Sequence, residues 1–256
     1  MNIIFKIKHK IRNKALSVLS RMIFDSSNEH GFGEDIAFKS LSTIAALKRI
    51  RNRNVPIQTV IDIGASDGRW SKDAQRIFSD ANYLLIEAQK EHGNALEKHK
   101  KSDPKIDYVI CAAGNRKGEI YFDNSDLFGG LAMEEKPLEG DFSILSVDTV
   151  DNLVSFRNLP GPYLLKLDTH GFEVPIFEGA SEVLKKANLI VVEVYNFHIT
   201  PNSLLFYEMC EHLSQKGFRC VDVSEPIYRK KDKVLWQMDF FFEPKSSSVF
   251  ETNSFD

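Results

Sequence analysis

The run TVIDIGASDGRWS, residues 59–71, places two acids, two glycines and a hydroxyl within seven residues, Asp62 to Gly68. Three chemistries use such a run after a strand. Gly64-Ala65-Ser66-Asp67-Gly68 fits the G-x-S-x-G elbow of a serine hydrolase, with Ser66 as nucleophile and Asp168 and His198 as the later acid and base. A glycine loop between strand and helix also binds the pyrophosphate of a dinucleotide. An acid followed by a tight glycine loop can instead wrap the amino-acid end of S-adenosylmethionine. The dinucleotide loop needs three glycines so that the backbone can approach phosphate, and Ser66 and Arg69 stand where the second and third belong. The hydrolase elbow needs strands ahead of it, and no convincing strand precedes Thr59; Asp62 would also oppose a developing oxyanion.

The third reading accounts for more of the residues. Asp62 would hold the cofactor's ammonium directly or through water. Gly64 and Gly68 permit the turn with Ala65 and Ser66 between them, and the helix starting near Arg69 offers free N–H groups to a carboxylate. A ribose needs an acidic acceptor at the end of the second strand. YLLIEAQ delivers Glu87 there, 25 residues after Asp62.

The elements that must position these residues alternate. Apolar runs at 59–63, 83–87, 106–112, 163–168, 189–194, 219–223 and 234–243 predict strands. Amphipathic segments at 69–78, 92–101, 174–186 and 203–216 predict helices between most of them. Strands separated by helices imply a mostly parallel seven-stranded sheet with helices on both faces. The last two runs lack a helix between them, so the terminal strand should be antiparallel. Residues 118–148 are less periodic and could supply a small hairpin and a substrate loop.

Ahead of the sheet, Ile4, Ile7, Ile11, Val18 and Met22 fall at helical spacing among basic residues, and a second helix is expected over 34–53, ending before Val55-Pro56. The domain reading is an N-terminal helical extension over 1–55, a catalytic domain over 56–244 and a serine-rich tail over 245–256 expected to be disordered.

Composition bounds the function. The 256 residues are 43% hydrophobic and 27% charged with a net charge of -3, so there is no general basic field of the kind that binds nucleic acid. Charge is uneven, however: six basic residues precede Asp25, giving +6 there and -9 in the remainder. That basic amphipathic segment, residues 1–24, either packs on the domain or makes peripheral contact with an anionic membrane. No apolar run approaches the ~20 residues of a membrane span, and the charges interleaved with apolar residues make a poor signal peptide. Cys111, Cys210 and Cys220 lack metal-ligand spacing and are read as reduced thiols of a cytoplasmic protein.

With VIDIGASDGRWS, LLIEAQ, AAGNRKGEIYF and LLKLDTHGFEVPIFEGA, the chain resembles the FkbM family of S-adenosylmethionine-dependent methyltransferases from about Val60 to Val194. The most specific element is Lys-x-Asp-x-x-Gly-x-Glu, carried by Lys166, Asp168, Gly171 and Glu173. The resemblance implies a Rossmann-like class I methyltransferase fold and methylation of hydroxyls on sugars and other natural products, here on a small-molecule, saccharide or lipid-linked acceptor. Many methyltransferases place an aspartate for adenine after the third strand. This chain has Cys111-Ala112-Ala113-Gly114, which leaves adenine to backbone groups near Ala112 and Ala113 or to Asn115.

Methyl transfer to a hydroxyl needs a base beside the cofactor at the carboxyl edge of the sheet. Asp168, at the end of strand four, is the expected base and a cofactor neighbour; His170 and His198 are the further catalytic candidates, with Glu193 and Asn196 nearby in sequence. His170 stands where Gln or Glu is usual in the family. Asp168, His170, Glu193 and His198 offer donors that a divalent ion could use, but spacing alone does not bring them together, and none is assigned as a metal ligand. The bland alternative for Lys166 and Glu173 is an ion pair that merely shapes the turn. A rival reading is a non-catalytic cofactor-binding scaffold.

Overall fold

The computed structural model describes residues 40–123, 125–136 and 142–255. The chain divides into two units, 1–42 and 43–256, and both sheets and the helices packed on them belong to the second. The basic segment 1–24 and the first part of the helix expected over 34–53 lie outside the described residues.

The main sheet has seven strands: β1 (Thr59–Ile63), β2 (Asn82–Glu87), β3 (Ile106–Ile110), β8 (Tyr163–Leu167), β9 (Ala187–Tyr195), β10 (Phe218–Tyr228) and β11 (Leu235–Pro244), in the order β10-β11-β9-β8-β1-β2-β3. All adjacent pairs from β9 to β3 are parallel, and β11 runs antiparallel between β9 and β10. Strands β1 and β8 are buried along their whole length, as expected where helices cover both faces of a parallel sheet.

Side chains alternate across the sheet and so build two cores. Ile61, Ile63, Leu165, Leu167, Ile190 and Val192 face one way, against helices α4 (Val150–Phe156), α5 (Glu173–Glu178), α6 (Ser181–Leu184) and α7 (Phe206–Gln215). Val60, Leu85, Leu164, Leu189, Val191 and Phe241 face the other way, against α1 (Thr43–Asn52), α2 (Arg69–Gln75) and α3 (Gly93–Ser102). Fully burying one such side chain contributes about 1.5–3 kcal/mol. Helix α1 is also clamped to the β10–β11 ribbon by Arg49 on Asp222, through two bonds of 2.7 and 2.8 Å, and by Arg53 on Glu243 at 2.5 Å.

Three expectations need correction. The strand expected over 106–112 stops at Ile110. After Cys111 the chain leaves for a second sheet, where β4 (Ala112–Ala113) joins β7 (Phe142–Asp148), β5 (Gly118–Asp123) and β6 (Leu131–Met133) in the order β4-β7-β5-β6. The irregular stretch 118–148 therefore supplies three strands of a sheet, more than a hairpin. The helix expected over 174–186 breaks into α5 and α6 at Gly179, where a Cβ would lie 2.0 Å from the carbonyl oxygen of Gly114; the close approach of the two backbones requires glycine. After Pro244 a 3-10 turn forms at Ser248–Phe250, and Ser247 donates to Glu243 at 2.6 Å.

Candidate functional site

A cavity of about 260 Å³ opens at the carboxyl ends of β1, β2 and β8, between the main sheet and the second one. Open α/β sheets gather ligands at this edge because the helices diverge there and leave a crevice. One side is the loop after β1. Gly64, Ser66 and Gly68 all have positive φ, at 70°, 51° and 78°, so the loop turns sharply three times. Glu87 fastens it from β2: one carboxylate oxygen accepts from the Ser66 N–H at 2.6 Å and the other from the Gln89 N–H at 2.7 Å.

Beneath the loop lies Lys166. The register of β1 against β8 sets Asp62 beside Lys166, and Lys166 Nζ stands 2.9 Å from Asp62, donates to the Gly64 carbonyl at 3.0 Å and lies 3.6 Å from Asp168. Burial pulls the ammonium's pKa down, but Asp62 and Asp168 outweigh it and hold the group above the ordinary lysine value. Ser71 donates to the second Asp62 oxygen at 2.7 Å. Asp62 is fully buried, its carboxylate committed to these partners, and it does not line the cavity.

A further wall is the segment Ser125–Gly130. Gln89 donates to the Asp126 carbonyl at 3.1 Å, His92 Nε2 lies 2.9 Å from the Leu127 carbonyl oxygen, and the half-exposed Phe128 ring sits under the Arg69 guanidinium at 4.9 Å. Ala112, Ala113, Phe172 and Ile176 give an apolar floor.

At the mouth, the turn after β8 carries Asp168 and His170. Glu173 organises it by accepting from Thr169 Oγ1 and from the Gly171 N–H, both at 3.0 Å; burial raises its pKa. Lys166 and Glu173 thus have separate partners and separate tasks. His170 has φ 51°. Its Nε2 lies 3.5 Å from Asp168 Oδ1 and 3.9 Å from Glu193 Oε1. On β11, Asp239 stands in register with Glu193. Burial and the charge of Asp168 push Glu193 up to about 8 and Asp239 up to about 7.

Of the residues picked from sequence, Gly64, Ala65, Ser66, Glu87, Ala112, Ala113, Asp168 and His170 line the cavity. Asp62, Gly68 and His198 do not. Gly68 is packed against Leu85, Leu96 and His99, and His198 Nδ1 pairs with the Ser203 carbonyl at 2.8 Å. Sequence reasoning missed Gln89, His92, Phe128 and Asp239. The last had a signal: it is an acid set between Met238 and the run Phe240–Phe242 inside the strand LWQMDFFFEP.

A family model described as the methyltransferase FkbM domain matches residues 62–220, from Asp62 on β1 to Cys220 on β10. The chain belongs to the FkbM methyltransferase family. The family match spans every strand edge that frames the cavity. No curated protein matches the chain. Among solved structures it is similar to a methyltransferase FkbM from Methylobacillus flagellatus KT, with 14% identity, a TM-score of 0.45, and coverage of 72% of this chain and 43% of that one. It is also similar to a 1,6-didemethyltoxoflavin-N1-methyltransferase from Burkholderia thailandensis solved with S-adenosylhomocysteine, with 12% identity, a TM-score of 0.44, and coverage of 90% and 89%. This FkbM chain thus spans less than half the length of the first of these, and no residue role carries over from either at such distance.

The cofactor that goes with the FkbM family is S-adenosylmethionine, and the residues present fit it. The Glu87 carboxylate, the apolar floor of Ala112, Ala113, Phe172 and Ile176 and the turned backbone of Gly64 to Ser66 line one continuous cavity, the kinds of surface that a ribose, a purine and an amino-acid end would each need. Among the described residues no helix is long and apolar enough to cross a membrane.

Proposed function

We propose that the protein transfers a methyl group from S-adenosylmethionine to a hydroxyl of a saccharide, a glycolipid precursor or a related natural product. The observation that carries this reading is the carboxylate and imidazole cluster of Asp168, His170 and Glu193 at the mouth of a cavity whose other end offers Glu87. When bound, the cofactor supplies the methyl group on a sulfonium, so the carbon–sulfur bond breaks as the new oxygen–carbon bond forms and the electron pair stays on sulfur.

The chain's own residues then have three tasks. Glu87 accepts from the ribose hydroxyls with the lone pairs left by Ser66 and Gln89. Gly64, Ala65 and Ser66 shape the wall for the amino-acid end, and Ala112 and Ala113 flank the adenine. Asp168, with one oxygen turned toward His170 and the other toward Lys166, takes the hydroxyl proton. His198 has no part in this step, since it is exposed and engaged with Ser203.

The +6 charge of residues 1–24 supports an acceptor met at an anionic membrane surface, worth about 1 kcal/mol per basic residue near the surface. Salt-dependent co-sedimentation with anionic vesicles, lost on deleting 1–24, is the expected behaviour; indifference to such vesicles at low salt removes the membrane from the reading.

The deciding experiment incubates the protein with labelled S-adenosylmethionine and a panel of saccharide and lipid-linked acceptors. Transfer of label to a hydroxyl is expected from wild type and not from Asp168→Asn, with cofactor binding retained in the variant. Label appearing only on nitrogen or carbon acceptors overturns the hydroxyl reading.

A further inference from the structure

We infer that Asp168, His170 and Glu193 form a binding site for one divalent cation, magnesium or manganese, on the wall of the cavity mouth. The site stands on geometry; its use in activating a hydroxyl rests on the function proposed above.

One donor atom from each residue lies within 4.8 Å of the other two. The imidazole Nε2 is 3.5 Å from Asp168 Oδ1 and 3.9 Å from Glu193 Oε1. Two spacings are physically distinct here. A protonated histidine bridging two carboxylates draws each to about 2.7–2.9 Å. Ligands held about 2.1 Å from one octahedral ion stand about 3 Å apart when adjacent and about 4.2 Å when opposite. The observed separations exceed the first range and lie between the adjacent and the opposite spacing of the second, so the three groups are too far apart for a hydrogen-bonded bridge and close on one ion with small side-chain shifts.

Asp168 and His170 lie in the turn after β8 and Glu193 lies within β9, and the two carboxylates are held from behind. Asp168 follows Leu167 one step past its partner Val192, which brings it alongside Glu193 on the neighbouring strand. Asp168 turns Oδ2 toward Lys166 and keeps Oδ1 toward the imidazole. Glu193 receives Gln237 Nε2 on Oε2 at 2.5 Å; its Oε1, which also accepts from the Tyr195 hydroxyl, faces His170. Outer partners that fix each carboxylate's orientation are what a metal site needs to be formed before the ion arrives.

Charge agrees. Asp62, Asp168, Glu193 and Asp239 surround a single lysine, Lys166, which is already shared between Asp62 and Asp168. The two carboxylates suit magnesium or manganese, and the imidazole tips the set toward manganese.

Asp168 and His170 line the cavity, so an ion on this triad presents its open positions to the acceptor. An acceptor hydroxyl bound there has its pKa lowered and loses its proton to water at the mouth. Its oxygen bonds the methyl carbon as the carbon–sulfur bond breaks, with the pair remaining on sulfur. Asp168 and His170 then act as ligands, and direct proton removal by Asp168 is the alternative the experiment separates.

The test is a Mn²⁺ titration of the chelator-treated full chain, followed by the electron paramagnetic resonance signal of free Mn²⁺. One saturable Mn²⁺ per chain is expected, displaceable by Mg²⁺ and accompanied by an upward thermal shift. Glu193→Gln and His170→Asn should each weaken it at least about tenfold, and circular dichroism shows whether each variant is folded. If one variant fails to fold, the other decides. Absence of saturable binding to wild type, or binding that a folded variant keeps unchanged, overturns the site and leaves proton removal to Asp168. Stoichiometric Mn²⁺ binding in a protein that methylates no hydroxyl instead overturns the function and leaves the site.

Discussion

Asp62 on β1 and Lys166 on β8 occupy matched positions of adjacent parallel strands and meet at 2.9 Å, with side chains 0% and 6% exposed. The lysine passes its remaining hydrogen-bonding capacity to the Gly64 carbonyl and its charge to Asp168. Through Lys166, Asp62 thereby underpins the loop that runs from Gly64 to Gly68.

Removing Asp62 takes the nearest counter-charge from a buried ammonium and leaves it only Asp168, at 3.6 Å. Asp62→Ala should therefore destabilise the protein by about 3–5 kcal/mol, measured by urea unfolding. A loss below about 1 kcal/mol would show that water reaches Lys166 and that the pair does not support the loop.

Gly64 is irreplaceable for a reason of backbone contact. Its φ is 70°, and a Cβ there would lie 1.9 Å from the Asp168 carbonyl oxygen. Gly64→Ala should push β1 and the turn after β8 apart, losing both stability and S-adenosylmethionine binding by calorimetry. An alanine variant that binds the cofactor as wild type does would mean the two turns can separate freely.

Glu87 combines two roles, and one substitution separates them. Glu87→Gln keeps the shape and one acceptor oxygen but loses the charge that Ser66 and Gln89 N–H groups share. Cofactor affinity should fall by about 1.5–3 kcal/mol, the worth of hydrogen bonds to a charged group. Unchanged affinity in titration calorimetry would place the ribose elsewhere.

A pH dependence follows from Glu193, pushed up to about 8 by burial and by Asp168. Between the ordinary glutamate value near 4.5 and about 8, the folded chain holds a proton here that the unfolded chain has released. The stability this group contributes is complete below pH 4.5 and is lost as pH rises through 8. Asp239, at about 7, acts in the same direction. In chelator, wild type should lose more stability than Glu193→Gln between pH 5 and 8, by at least the ~1.4 kcal/mol of a single pKa unit. Parallel unfolding curves for the two proteins across that range would rule this out.

Hydrophobic periodicity alone gives the chain order of the main strands and most of their bounds, because each parallel strand buried on both faces must be a short apolar run and each helix must show one apolar stripe. Residue type also marks the positions with local tasks: the glycines that turn after β1, the acid that closes β2, the Asp168 and His170 turn. What the linear chain could not contain is which strand lies beside which. Only the β8-β1 register sets Asp62 against Lys166 and so takes the acid out of the cavity. Only the insertion of β11 beside β9 brings Asp239 to Glu193 across 46 positions of chain. His198 is five residues past Glu193, yet its imidazole is engaged by the carbonyl of Ser203 and takes no place beside His170. Hydrophobic patterning reports whether a residue is covered, but the partner of a buried charge is set by strand pairing between distant segments, and pairing is decided when the sheet assembles.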